Sequence, residues 1–180
     1  MAKIVRRVKA KIVRLYRGGL NIEQVKAVVL EDYPKITTDC IHSLLRKWFI
    51  VRADELWAVA VKQVGHCAIC RKTPDLEAHH LISRDNYLFR WDERNGVCLC
   101  SHHHRFAPDI AAHGPAEAEA GFDDWMREQM REHKPEQWQW YLENKDRKDT
   151  YKPAIDDLVA VCDKLQATMK VRTRGIRNGR

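Results

Sequence analysis

The sequence predicts an α+β chain, mostly helical, in which a short strand–loop–strand–helix core is stapled by a structural zinc and flanked by helices on both sides. Three observations predict it. Apolar residues recur at helical spacing before about residue 64 and again after residue 115. Between them the period fades, and turn signals appear at Thr73-Pro74, Arg84-Asp85-Asn86 and Asn95-Gly96. Inside that stretch lie two pairs of soft metal ligands, Cys67/Cys70 and Cys100/His103. The chain accordingly divides into a basic helical region (1–62), the stapled core (63–115) and a helical C-terminal segment with a basic tail (116–180).

Taken in order, Ile4, Val5, Val8, Ile12, Leu15 and Tyr16 give a first helix, ended by Gly18-Gly19. Asn21 can cap a second, with Ile22, Val25, Val28, Val29 and Tyr33 on its apolar face and Pro34 as its stop. A third starts near Thr37–Thr38 and carries Ile41, Leu44, Leu45 and Trp48, and a fourth runs from about Asp54 to Gly65. Two helices joined by a tight turn, the second bearing Lys35, Thr37, Thr38, His42, Ser43, Arg46 and Lys47, resemble a helix-turn-helix DNA reader. A small bundle that only supports the core explains the same pattern. In the core, Ala78–Ile82 and Gly96–Leu99 are the expected strands and Ser101–Ala107 the expected helix. Beyond Pro115, three stripes read as packing surfaces: Phe122/Trp125/Met126/Met130, Trp138/Tyr141/Leu142, and Ile155 to Met169. The last of these also offers a homodimer interface.

Charge is uneven. Of the net +7, residues 1–52 carry 12 Lys/Arg against four Asp/Glu, and Lys170, Arg172, Arg174, Arg177 and Arg180 cluster in the tail. Basic ends around a near-neutral middle suggest a polyanion gripped by the flanks and processed in the centre. No apolar run reaches the roughly 18–20 residues that span a bilayer, and the N-terminus lacks the apolar core of a secretory signal. A cytoplasmic protein is expected, so the six cysteines read as metal ligands or buried thiols rather than disulfides. Cys40 and Cys162 lie on helical apolar faces and are expected in the core.

Structural zinc takes four Cys or His ligands, usually in pairs two residues apart. Cys67-x-x-Cys70 and Cys100-x-x-His103 meet that spacing across a 29-residue excursion. Cys98 competes with Cys100, since strand alternation puts both on one face, but the spacing to His103 favours Cys100. The excursion holds His79, His80 and Asn95, and His104 follows its closing ligand. Phosphodiester hydrolysis needs a base near neutral pKa and a cation to offset charge on the phosphate. Imidazole suits the first, and an asparagine carbonyl could aim it. A zinc deaminase fails on pattern, with no Glu one residue after a ligand histidine and no PCxxC segment.

His79-His80, Asn95 after 14 residues and His104 after eight more resemble the HNH nuclease motif of the ββα-metal fold, in its zinc-stapled subset. The resemblance implies that His80 is the general base and Asn95 its orienter, and that His79 and His104 hold a catalytic divalent metal. Position 79 is often Asp in that family. An imidazole there softens the site from strict Mg²⁺ preference towards Mn²⁺, Ni²⁺ or Zn²⁺. His103 stands where a fourth Cys is usual, so the register among His102, His103 and His104 rests on the family pattern. Ideal strand alternation would send His79 and His80 to opposite faces, so the strand is expected to end or bend there.

The stretch FRWDERNGVCLC (89–100) and the downstream W…W…LENKDRKDTYKPAIDDL further resemble the phage NinG (Rap) recombination endonucleases, specifically over 67–105 and loosely to 170. That family can carry Asn at the position of His104. The implied partner is DNA, branched or nicked, in phage or prophage recombination within a bacterial host. Lys35, Thr37, Thr38, Arg46, Lys47, Arg84 and Arg105 are the candidate DNA contacts. Two alternatives remain open: a duplex-nicking HNH enzyme of homing or restriction type, and a non-catalytic zinc-stabilised DNA-binding module.

Overall fold

The computed structural model describes residues 2–178, with side chains over 3–169. The basic tail cluster from Lys170 to Arg180 therefore lies outside the described side chains. Two compact units appear. One extends through Ala53 and takes in Pro153–Lys164, and the other comprises Asp54–Lys152 with the rest of the C-terminal helix.

In the first unit, α1 (Ala2–Arg17) ends where Gly19 takes φ +94, a conformation that costs glycine little. α2 (Ile22–Asp32) begins with a reciprocal cap. Gln24 N–H donates to Asn21 Oδ1 at 2.9 Å, and Asn21 N–H to Gln24 Oε1 at 3.0 Å. Val8, Ile12, Val25, Val29, Ile41, Leu45, Phe49 and Leu158 are among the buried apolar residues of this unit. The expected third and fourth helices are one, α3 (Thr38–Lys62). No Gly or Pro interrupts residues 38–64, and Ala53, at the expected junction, is fully buried, so nothing stops the backbone ladder there. Cys162 is buried, whereas Cys40 is only half-buried. Leu158, Cys162 and Leu165, the stripe of α6 (Ile155–Asn178), are covered within the single chain.

The second unit is built on a two-stranded antiparallel sheet, β1 (Leu76–His80) with β2 (Gly96–Cys100), registered His79 to Val97 and His80 to Gly96. β1 lies two residues earlier than expected. The Asn95 side chain takes both backbone groups of Ile82, which removes that residue from the ladder. A Cβ on Gly96 would come within 2.3 Å of Val61 and 3.0 Å of Trp57, so only glycine lets the end of α3 lie against the start of β2. The expected helix after β2 is a single wide π turn, His102–Phe106, closed by Ala107 N–H on His102 C=O. α4 (Ala116–His133) and α5 (Pro135–Asn144, with Pro135 at its first position) follow. Phe122, Met126 and Met130 pack with Cys67, Val97, Leu99 and Cys100 as one buried cluster. Among the described residues no helix is long and apolar enough to cross a membrane.

Candidate active site

Cys67, Cys70, Cys100 and His103 place their ligand atoms within 4.8 Å of one another. Cys70 Sγ lies 3.8 Å from Cys100 Sγ, and His103 Nδ1 lies 3.3 Å from Cys100 Sγ and 3.7 Å from Cys67 Sγ. Tetrahedral zinc with bonds of about 2.3 Å to sulfur separates its ligands by roughly 3.8 Å, so the set fits zinc. Burial alone would raise the Cys67 thiol. Backbone N–H groups of Cys70, Cys100 and Ile69 outweigh it and hold the thiol below its usual value, favouring the thiolate that binds metal. Cys98 is outside the group. It lines a cavity with Val64, Ala68 and Gln137, whereas Cys100 ends β2 where the chain turns towards His103.

A second set forms around β1. Alternation along the strand puts Glu77 and His79 on one side and His80 on the other. His79 is buried among His104, His113 and Phe122, at ring-centroid distances of 5.4, 4.8 and 5.3 Å. The ligand atoms of His79, His104 and His113 lie within 4.8 Å of one another. His104 Nδ1–H donates to Glu77 Oε2 at 2.5 Å, which turns Nε2 outward as its ligand atom. Burial alone would raise the Glu77 carboxyl. Hydrogen bonds from His104 and Ser101 and the nearby charge of Arg105 hold it below the carboxylate range instead. His79 Nδ1 is buried with no hydrogen-bond partner. An orphaned imidazole nitrogen beside two more imidazoles is what a divalent transition metal would satisfy.

His113 and Glu77 were not foreseen from the sequence. Glu77 carried a signal, because a carboxylate two residues before His79 shares its strand face. His113 carried none at sequence level. It returns because the N–H groups of Ala112 and His113 donate to the carbonyls of His103 and His104, at 3.1 and 2.9 Å, folding the 107–113 segment back over the wide turn. α4 admits that segment only through Gly121, where a Cβ would stand 2.1 Å from the Asp109 carbonyl oxygen. Gly121→Ala is expected to displace the segment and weaken binding of the second metal about 10- to 100-fold, as loss of a supporting contact does. The zinc content should stay at one per chain, and isothermal titration of Mn²⁺ or Ni²⁺ into zinc-loaded protein reads the difference.

His80 sits apart from that set but lines the same cleft of about 650 Å³, together with His79, His104, His113, Arg84 and Arg105. Its ring stacks on the Trp57 indole, with centroids 3.7 Å apart and planes 11° from parallel. Its Nε2 lies 2.9 Å from the Arg90 carbonyl oxygen. A carbonyl only accepts, so Nε2 carries the proton and Nδ1 is the basic nitrogen of the neutral ring. Burial, partly offset by the Arg90 carbonyl and by Asp54, keeps the His80 pKa below its ordinary value.

Asn95 is fully buried and does not hydrogen-bond His80. Its Oδ1 accepts from Ile82 N–H at 2.6 Å, and its Nδ2 donates to the carbonyls of Ile82 and Phe89, both at 3.0 Å. The expected direct contact is thus replaced by an indirect one, since Asn95 fixes Phe89 and the next carbonyl along, Arg90, meets His80. The Arg90 side chain secures the same loop from outside. Its Nε and Nη2 donate to Asp54 at 2.9 and 2.8 Å, and its Nη1 to the Arg84 carbonyl at 2.8 Å.

Of the expected DNA contacts, Arg84 and Arg105 are exposed at the cleft, and Arg105 pairs with Glu77 at 2.8 Å. Lys35, Thr37, Thr38 and Lys47 are exposed in the first unit, where half-buried Arg46 donates from Nε to the Pro153 carbonyl.

The pKa of His79 is pushed from 6.5 down to about 3 by burial first and then by His113, His104 and His80. The unfolded chain therefore takes up a proton between those values that the folded chain refuses. Stability from this residue is complete above about pH 6.5 and is lost as pH falls towards 3, by at most about 5 kcal/mol. Zinc-loaded protein without a second metal should show its urea midpoint falling between pH 7.5 and 5.5. His79→Asn should flatten that slope.

Comparison with known proteins adds one finding. Residues 67–106 match the family model described as HNH endonuclease. The match starts at Cys67 and takes in His79, His80, Asn95 and His104, which supports an HNH nuclease domain in this part of the chain. No curated protein and no solved structure matches the chain.

Proposed function

We propose that this protein is a metal-dependent DNA endonuclease of the HNH type, hydrolysing one phosphodiester bond per active site. The observation that carries the reading is one cleft holding a neutral, aimed imidazole, His80, beside the three-imidazole set of His79, His104 and His113. His80 Nδ1 accepts the proton of the attacking water. The Arg90 carbonyl, on Nε2–H, fixes the tautomer and stabilises the imidazolium that forms. Asn95 acts one step removed, by holding the loop that delivers that carbonyl. Arg84 and Arg105 place positive charge where the phosphate enters.

A divalent ion held by His79, His104 and His113 would neutralise charge gathering on the phosphate and the leaving oxygen. Three imidazoles with no carboxylate in the set favour Mn²⁺, Ni²⁺ or Zn²⁺ over Mg²⁺. Cys67, Cys70, Cys100 and His103 hold the structural zinc. For substrate we favour branched or nicked recombination DNA of phage or prophage origin, on the resemblance carried by residues 89–100. The exposed Lys35, Thr37, Thr38 and Lys47 of the first unit would grip the flanking strands. Two nicks require two sites, so a homodimer would cut both strands or both arms.

The test titrates Mn²⁺, Ni²⁺ and Mg²⁺ into zinc-loaded protein with a four-way junction or a linear duplex of the same arm sequence. Junction-selective cutting, strongest with the softer ions, is the expected result. Equal nicking of both substrates would keep the nuclease and discard the recombination substrate. Tight binding without cutting under any metal would leave a zinc-stabilised DNA-binding module.

A further inference from the structure

A separate cavity of about 250 Å³ in the second unit takes no part in the site above. Its wall includes buried Met130 and half-buried Trp125, whose ring stacks on Phe122 with centroids 5.7 Å apart. Its polar groups are cationic or neutral, and besides His66, Cys98 and Gln137 they include Arg71, Lys134, His133 and the side-chain amide of Gln129, which makes no hydrogen bond to another described residue. Among the described residues lining it there is no carboxylate. An aromatic wall, a free amide and a cationic rim together select a planar ligand that carries negative charge. The volume lies below the roughly 300–1,000 Å³ of drug-sized sites, which leaves space for one ring system with a charged substituent lying at the cationic rim.

Arg71 supplies an independent observation. It closes the Cys67–Cys70 turn with its N–H on the Cys67 carbonyl at 3.0 Å, and it does so at φ +62. Glycine adopts that conformation freely, whereas any L side chain there is strained. The turn itself would be better served by glycine. What the arginine adds is a guanidinium at the cavity.

We propose that this cavity binds a single nucleotide, its base against Trp125 with one edge met by the Gln129 amide, and its phosphate held by Arg71 and Lys134. The nucleotide is either an extrahelical residue of a DNA strand or a free mononucleotide, and the chemistry of recognition is the same for both. The inference does not depend on whether the protein cuts DNA.

The test uses zinc-loaded full-length protein and the fluorescent base 2-aminopurine, whose emission falls when it stacks on an aromatic ring. The probes are 2-aminopurine deoxyriboside 5′-monophosphate, the same nucleoside without phosphate, and duplexes in which the base is either bulged out or paired. Saturable quenching of the monophosphate, with the nucleoside about tenfold weaker, is expected. Arg71→Gly should bring the monophosphate several-fold towards the nucleoside's affinity, leaving only the share of Lys134, while the protein's melting temperature holds or rises, since backbone strain is relieved. Quenching of the bulged duplex beyond the paired one, lost in Arg71→Gly, identifies a DNA strand as the source. Quenching confined to the mononucleotide identifies a free ligand. Absence of saturable quenching with every probe, equal binding of nucleoside and monophosphate, or unchanged binding in Arg71→Gly would overturn the proposal.

Discussion

His80→Ala is expected to lower the rate of DNA cleavage by about 10²- to 10⁴-fold, the span attributable to a positioned general base, while DNA affinity stays within a factor of two or so. The asymmetry follows from what the side chain touches. His80 gives one hydrogen bond, to the Arg90 carbonyl, and one ring face, to Trp57. Neither contact is with Arg84 or Arg105, the arginines at the cleft that would meet phosphate. Losing the stack costs stability of about 1–2 kcal/mol, too little to unfold a typical domain. Plasmid nicking, DNA binding and thermal melting on one preparation separate the outcomes. Full cutting in the variant would move the base to another residue. His80→Gln, which keeps a polar side chain and loses the base, should match the alanine variant in rate and exceed it in stability.

Removing the zinc is expected to have the largest effect on the fold itself. A structural zinc contributes on the order of 10 kcal/mol, comparable with the whole stability of a domain. The apolar cluster of the second unit includes two of the four ligands, Cys67 and Cys100, so loss of the ion disturbs the packing of Phe122, Met126 and Met130 directly. Chelation, or Cys100→Ser, should abolish the cooperative thermal transition of this unit, seen as loss of near-ultraviolet dichroism and of tryptophan burial. Cys98→Ser should retain one zinc per chain. An unchanged transition after complete chelation would mean that the four residues form an ordinary buried cluster.

The parts of this protein that were legible in its sequence are those set by local spacing. The Asn21 cap, the stop before Pro34 and the pairing of Cys67 with Cys70 and of Cys100 with His103 all depend on residues within a few positions of one another. What was not legible depends on distant backbone. Nothing near His113 marks it as a partner of His79, because two hydrogen bonds across nine residues put it there. Asn95 shows the same limit in another form. Its position in the motif was readable, but its hydrogen bonds run to Ile82 and Phe89 through a loop whose path the spacing does not encode. The expected start of a separate helix near Asp54 is not found, because no Gly or Pro breaks the backbone of α3 there.

His103 belongs to the four-residue cysteine–histidine set and His104 to the three-imidazole set, so a single peptide bond joins the two centres. Any rotation of that peptide moves a ligand of each. Ions held at both would therefore be coupled, and by thermodynamic reciprocity each would change the affinity of its neighbour by the same factor. Thiolate donors favour the cysteine-rich set for zinc, so the order in which the two sets load is a measurable property of the chain.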